Sequence, residues 1–348
     1  MQTDTLPIRR SILSAPRKLE FKSEEIDLRG LGAHDVVART RMTVLSPGTE
    51  VGAFVGLPPL RPSVVYPRLV GYCNLAEVVA TGPEVKSVRA GDRILTFESH
   101  CSGFRAAEGT IIVSVPSELP PQRAAATYLY HLGYAALLRA GFAPGLTVAV
   151  VGLGTLGLAT VNLGFALGAN MIAFSDQDAG RRRALAAGAR AVYAKNEIGR
   201  ALTESAAMGA RAGIDVVVST SNRWDDWDLT LRLPRKGGTI AVLGFPGRDG
   251  TMPAHNPLAS EFFYDRALTI QASGYMPDLD ASPIDVRFTI KRNMAFLLDL
   301  IGRGKIDPDL LVTETRPWHE LGTVYERMAA RDPNLVTCAL DWTIEESP

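Results

Sequence analysis

The spacing of apolar residues changes near residue 120 and divides the chain into two kinds of structure. Before that point, hydrophobic residues come in short stretches bounded by Gly and Pro. Residues 35–45 alternate partly between apolar and polar side chains, which suits a strand in a sheet with one wet face. The stretches 8–13, 73–82, 93–97 and 110–115 read as further strands. Pro58, Pro59, Pro62 and Pro67 mark a loop within 57–67, and Gly91-Asp92-Arg93 marks a turn. Residues 120–141 read as mostly helical, with Tyr128, Tyr130, His131 and Tyr134 along them, and the helix ends at the turn Ala143-Pro144-Gly145.

Beyond that turn, continuous apolar runs alternate with helical periodicity. Residues 146–151 predict a fully buried parallel strand. Helices are expected over 158–167, 179–188, 198–209 and 225–233, and strands over 170–174, 191–193, 214–219, 239–243 and 267–272. This β-α alternation predicts a doubly wound parallel sheet in an α/β fold. The tail adds helices at 290–302 and 320–330 and strands at 311–314 and 335–342.

The first buried strand runs into Gly152-Leu153-Gly154-Thr155-Leu156-Gly157, and the second ends at Ser175-Asp176. Strand, G-x-G-x-x-G, helix, strand and acid is the dinucleotide fingerprint in its required context. Gly152 serves the tight turn, Gly154 lets backbone approach a pyrophosphate, and Gly157 lets helix and strand pack closely. The helix start at Thr155, Leu156 and Gly157 offers N–H groups and a positive dipole end to phosphate. Asp176 stands where a carboxylate accepts ribose hydroxyls, which favours NAD over NADP. Arg181, Arg182 and Arg183 either receive a 2′-phosphate or merely open a solvated helix, so NADP stays open. Strand ends at Thr220, at Gly244 and at Ser273-Gly274-Tyr275 are expected to line the same ligand.

Bulk properties narrow the field. At 348 residues two domains are expected. Lys and Arg total 37, as do Asp and Glu, so no electrostatic footprint for nucleic acid or an anionic membrane is present. No apolar run is long enough to span a bilayer and no leader pattern opens the chain, so a soluble, cytoplasmic protein is expected. Cys73, Cys101 and Cys338 form neither a disulfide framework nor a C-x-x-C site. No two of the five histidines stand at metal-ligand spacing.

Several segments resemble the medium-chain dehydrogenases/reductases. Val78-Val79-Ala80-Thr81-Gly82-Pro83-Glu84-Val85 is similar to that family's strand and turn, and Val88-Arg89-Ala90-Gly91-Asp92-Arg93-Ile94 to its Gly-Asp turn. The mid-chain fingerprint with Asp176, Gly188-Ala189, and residues 237–244 extend the resemblance over nearly the whole chain. It implies a GroES-like β-rich catalytic domain from residues 1–125 and 277–348, a Rossmann domain from 126–276, and an active cleft where they meet. A homodimer formed through the strand at 267–272 is a family expectation, and the substrate is a small organic molecule. The motif Ser46-Pro47-Gly48-Thr49-Glu50 also resembles a subgroup that includes bacteriochlorophyllide dehydrogenases of the hydroxyethyl group.

Many relatives hold a catalytic zinc with a Cys near residue 46, a His in a Gly-His-Glu motif, and a third ligand. Here those positions read Ser46, Tyr72 and Thr127, which are poor zinc ligands. The four-cysteine loop of a structural zinc is missing as well. The resemblance therefore implies a zinc-independent member with no metal residues. Tyr72 is the candidate hydrogen-bond donor to a substrate oxygen, or else a polar lining of the pocket. Glu50 is a candidate base, or a loop carboxylate in an ion pair. His131 suits acid/base work, or is a hydrogen-bonded core residue. The expected reaction interconverts an alcohol and a carbonyl with NAD(H). Reduction of activated double bonds in quinones or enones, and nucleotide binding without turnover, are the alternatives.

Overall fold

The computed structural model describes residues 4–59, 64–207, 213–273, 276 and 287–344. Pro62, Gly274 and Tyr275 of the sequence reading lie outside them. The chain forms two compact units: Met1–Tyr128 with Pro277–Gly304 and Val312–Pro348, and Leu129–Met276 with Lys305–Leu311.

The first unit opens with a hairpin of β1 (Thr5–Ala15) and β2 (Lys18–Asp27). There follow β3 (Asp35–Val44), α1 (Pro47–Phe54), β4 (Arg68–Leu69), β5 (Asn74–Thr81), β6 (Arg93–Thr96), β7 (Gly103–Ala107), β8 (Val113–Val115) and α2 (Pro121–Ala125). A short helix break at Ala126 separates α2 from α3 (Thr127–Arg139) where one helix was expected. There the Thr127 hydroxyl donates to the Ala124 carbonyl at 2.6 Å, a local bond that competes with helix continuation.

The second unit holds β9 (Thr147–Val151), α4 (Thr155–Ala166), β10 (Asn170–Phe174), α5 (Asp178–Ala186), β11 (Ala191–Tyr193), α6 (Ile198–Ala207), β12 (Ile214–Ser219), α7 (Asp225–Arg232), β13 (Pro234–Val242) and β14 (Thr269–Ala272). The tail returns to the first unit with α8 (Ile290–Gly302), β15 (Val312–Pro317), α9 (Leu321–Ala329) and β16 (Thr337–Asp341).

In the first unit, the strands run in the order β15-β16-β3-β5-β6-β8, with β7 also on β3, and a smaller sheet runs β2-β1-β4. Leu13, Leu45, Phe54, Trp318, Tyr325, Leu340 and Trp342 form a core that fixes α1 and α9 beside β16. Three of these elements run against the sequence reading. β2 carries seven charged residues or hydroxyl groups on a mostly exposed ribbon, so it lacks an apolar signature. β7 is only 5 residues long. α1 starts at Pro47-Gly48, residues that read as a turn; yet Pro at the first helical position has the right φ and loses no bonded N–H.

In the second unit, six parallel strands run β11-β10-β9-β12-β13-β14. Numbered from β9, this is the order 3-2-1-4-5-6, with its reversal between β9 and β12. All of β9 is buried, as its apolar run requires. α4 is buried on most sides, because its Leu, Val and Ala positions leave no polar stripe. Asn162 within it accepts from Tyr130 Oη at 2.9 Å and from the Asp307 N–H at 2.9 Å. Those bonds tie Lys305–Leu311 into this unit.

Candidate active site

The turn after β9 is built from backbone constraints. Gly152 has φ +95°, a region closed to most side chains. A Cβ on Gly157 would land on the Gly152 carbonyl oxygen, far inside van der Waals contact. The first turn of α4 therefore sits directly on the end of β9. A Cβ on Gly154, by contrast, would meet nothing within 4 Å. That leaves open space over the N–H groups of Thr155, Leu156 and Gly157, and no acid occupies the first turn. Thr220 braces the turn from the end of β12, its hydroxyl donating to the Gly152 carbonyl at 2.8 Å. A Cβ on Gly244 would strike Ser221 O, so β13 ends hard against that loop. Ser273 is 2 % exposed, and its Oγ has no hydrogen-bond partner among the described residues. An open anion-binding helix start, a close-packed glycine turn and an orphaned buried hydroxyl at a strand end fit a dinucleotide.

Asp176 lies two residues beyond β10 with its carboxylate mostly exposed, and the Lys195 backbone N–H donates to it at 3.3 Å. The Arg181 guanidinium bonds the Ser175 carbonyl and Asp178. Sequence reasoning missed Lys195, which stands nineteen residues from Asp176 and meets it only because β10 and β11 are paired.

In the first unit, α1 brings Ser46, Thr49 and Glu50 beside Tyr72. Tyr72 Oη donates to Thr49 Oγ1 at 3.4 Å. Burial first, then the neighbouring Cys73 and the Glu50 charge, hold the phenol far above its usual range. It is therefore a neutral hydrogen-bond donor at any working pH. Glu50 is 2 % exposed and accepts three bonds: Ser46 N–H at 2.6 Å, Tyr325 Oη–H at 2.7 Å and His100 Nε2–H at 2.8 Å. His100 Nδ1 meets Thr43 Oγ1 at 2.8 Å, and Trp342 Nε1–H donates to that same oxygen at 2.9 Å. One donor order satisfies every group: indole to threonine, threonine to imidazole, imidazole to carboxylate. The His100 ring also packs on Gly71, where an added Cβ would come within 2.7 Å. His100 thus supports both Glu50 and the residue preceding Tyr72. Its sequence carries no signal of this, because its partners lie 50 and 57 residues away.

His131 lies on α3 in the second unit and is 2 % exposed. Burial pushes its imidazole down to about 4. At neutral pH it can accept a proton but is not an imidazolium acid. Because protonation favours the unfolded chain, the stability held above the unfolded value near 6.5 is lost as pH falls toward about 4. The expected loss from this group is about 3 kcal/mol between pH 7 and pH 4. Denaturant unfolding at both pH values, for wild type and His131→Phe, measures it; equal slopes in the two proteins would remove His131 as the cause.

Residues 155–276 match the family described as zinc-binding dehydrogenase. An alcohol dehydrogenase of Geobacillus stearothermophilus is 23% identical over 80% of this chain and 84% of its own length. The L-galactonate-5-dehydrogenase of Escherichia coli K12 is 23% identical over 93% of this chain and 96% of its own. The structure of an Escherichia coli CFT073 short chain alcohol dehydrogenase complexed with NADH superposes with a TM-score of 0.78 at 15% identity, covering 96% of this chain and 99% of that one. The fold is that of the medium-chain dehydrogenases/reductases. Oxidoreductase is the enzyme class these likenesses support, and no helix among the described residues is long and apolar enough to cross a membrane.

Medium-chain dehydrogenases of the zinc-binding kind need thiolate, imidazole or carboxylate ligands. Among the described residues no group of three or more His, Cys, Asp or Glu is arranged to hold a metal. Ser46 and Tyr72 present neutral hydroxyls, and Thr127 Oγ1 is already bonded to Ala124 O. Ser46, Tyr72 and Thr127 themselves offer a zinc no thiolate, imidazole or carboxylate.

Proposed function

We propose that this chain is a zinc-independent, NAD(H)-dependent oxidoreductase that interconverts an alcohol and a carbonyl on a small organic substrate. The observation that carries it is the turn from Gly152 to Gly157: close-packed where a helix must sit on a strand, and open where a diphosphate must approach. Bound NAD(H) supplies or takes the hydride. The second unit, by this reading, binds the nucleotide through the α4 N-terminus, Thr220, Gly244 and Ser273, with the Asp176 carboxylate on the ribose. A polar group at the substrate oxygen is also required.

Tyr72 is the residue we assign to that oxygen. A phenol held neutral, its one O–H turned from Thr49 Oγ1 to the substrate oxygen, donates a hydrogen bond that strengthens as negative charge builds on that oxygen during reduction. Glu50, already accepting three bonds, acts here by fixing Ser46 and the start of α1 rather than as a free base. Tyr72→Phe is expected to lower turnover by about a hundredfold with NADH binding unchanged. Product analysis over alcohols with NAD measures this; full turnover in the variant would remove Tyr72 from the chemistry. Metal analysis of the purified protein tests zinc independence, with stoichiometric zinc as the contrary result.

The same neutral donor also suits reduction of an activated double bond in a quinone or enone, so NADPH with enones belongs in the assay. The resemblance of Ser46–Glu50 to bacteriochlorophyllide dehydrogenases supports a hydroxyethyl group among the alcohols tried. β14 ends its sheet with no further strand beyond it among the described residues, which supports homodimer formation along that edge.

A further inference from the structure

Tyr72 is supported at its backbone and at its hydroxyl, and the two supports meet in one buried imidazole. The His100 backbone N–H donates to the Val70 carbonyl at 2.8 Å, and the ring lies against Gly71, where an added Cβ would come within 2.7 Å of Cγ and Cδ2. Gly71 has φ +91°, so the chain bends over the ring in a conformation that few other residues accept. That contact fixes the backbone from which the Tyr72 side chain starts. The Nε2 edge of the same ring meets Glu50 at 2.8 Å, and Glu50 accepts from the Ser46 N–H at 2.6 Å. Those bonds seat the first turn of α1, and with it Thr49, whose hydroxyl lies 3.4 Å from the phenol oxygen.

The orientation of that ring is set from β3 and β16. Thr43 Oγ1 lies 2.8 Å from His100 Nδ1, and the Trp342 Nε1–H donates to the same oxygen at 2.9 Å. With the indole on one of its lone pairs, the Thr43 hydroxyl directs its own proton to Nδ1, so that Nε2 carries the imidazole proton toward Glu50. Trp342 is itself fixed, stacked on Trp318 with ring centroids 5.4 Å apart and planes 10° from parallel. Turning the imidazole over would break its bonds to both Thr43 and Glu50. Apolar side chains of the same volume would fill this core as well; what a fully satisfied polar chain adds is a single geometry.

We propose that His100 is a positioning residue for Tyr72, oriented by Thr43 and Trp342, and that this chain of contacts aims the phenol at the substrate oxygen. The inference rests on the reading that Tyr72 donates to that oxygen. His100, Thr43 and Trp342 are all buried, so they act through Tyr72 and not on the substrate. Their effect falls on the reacting geometry, where a displacement of about 1 Å costs about a hundredfold in rate.

Thr43→Val removes the hydroxyl from the middle of the chain, and Thr43→Ser keeps it. The first readout needs no substrate: proton–carbon NMR spectra of protein carrying ring-labelled tyrosine, with the Tyr72 signal assigned by its loss in Tyr72→Phe. That signal should move or broaden in Thr43→Val and return in Thr43→Ser, while those of Tyr193 and Tyr264, in the second unit, stay in place. The second readout is steady-state kinetics with NAD and the alcohol that the wild type oxidises. Thr43→Val should lower kcat by about tenfold with KM unchanged, and Thr43→Ser should restore it. In a Tyr72→Phe background, Thr43→Val should lower kcat no further. A Tyr72 signal unmoved in folded Thr43→Val, or a further loss of equal size in the Tyr72→Phe background, overturns the positioning role. Should Thr43→Val fail to fold, Trp342→Phe takes its place: it removes only the indole donor, and an unmoved Tyr72 signal there has the same consequence. Full turnover in Tyr72→Phe instead removes the donor reading on which the inference rests.

Discussion

Gly154→Ala is expected to cost no more than about 1 kcal/mol of folding, the difference between glycine and alanine at the N-cap of α4, and to weaken NADH binding by about a hundredfold. The two halves of that expectation come from the same geometry. Gly154 has φ −80° and ψ −165°, an extended conformation that alanine adopts freely, and its Cβ would meet nothing within 4 Å. The protein alone therefore has no steric reason to exclude a methyl group. A pyrophosphate does, because it must approach the backbone to within hydrogen-bond distance of the helix N–H groups. Losing that approach is worth about 3 kcal/mol, the cost of two charge-assisted hydrogen bonds. Gly157→Ala separates this effect from simple damage. Its Cβ falls on the Gly152 carbonyl, so it should cost about 2 to 3 kcal/mol of folding as overpacking. Thermal unfolding and NADH calorimetry on both variants read the contrast. Undiminished NADH binding by Gly154→Ala would mean that the open space above α4 serves something other than a diphosphate.

The Rossmann unit was open to sequence reading because its physics is local. A strand buried on both faces must be a continuous apolar run, and the turn that follows needs glycine at fixed offsets. Residues 146–176 carry all of that within one stretch. β13 was less legible: it begins at Pro234, well before the apolar run at 239, and its pairing with β12 shifts register between Ile214 and Val216. The first unit gave less away. β2 is a charged ribbon, and α1 hides behind Pro-Gly. Glu50 and Tyr72 stood out as residues, but their surroundings did not, since Tyr325 meets Glu50 across 275 positions of sequence. Lys195 likewise meets Asp176 only through strand pairing, and Asp226 from another element. Motifs reveal what one segment does by itself; a charge whose partner arrives from another element leaves no such mark.

Glu50→Leu should destabilise the protein by about 3 to 5 kcal/mol, the range for removing one member of a buried charged network. Three donors converge on that carboxylate, from Ser46, Tyr325 and His100, and the carboxylate is 2 % exposed. Leucine leaves all three buried without an acceptor, and each such group costs about 1 to 3 kcal/mol. Compensation within the network is limited, because Thr43 and Trp342 already fix the other side of the His100 ring. Tyr325→Phe removes a single donor from a carboxylate that keeps two others, so it should cost only about 1 kcal/mol. The double variant Glu50→Leu/Tyr325→Phe should then be less destabilised than the sum of the two, since the phenol stranded by leucine is gone. Urea unfolding of the four proteins completes the cycle. Strict additivity, or a Glu50→Leu cost below about 1 kcal/mol, would mean that the carboxylate is not the acceptor on which this side of the site is built.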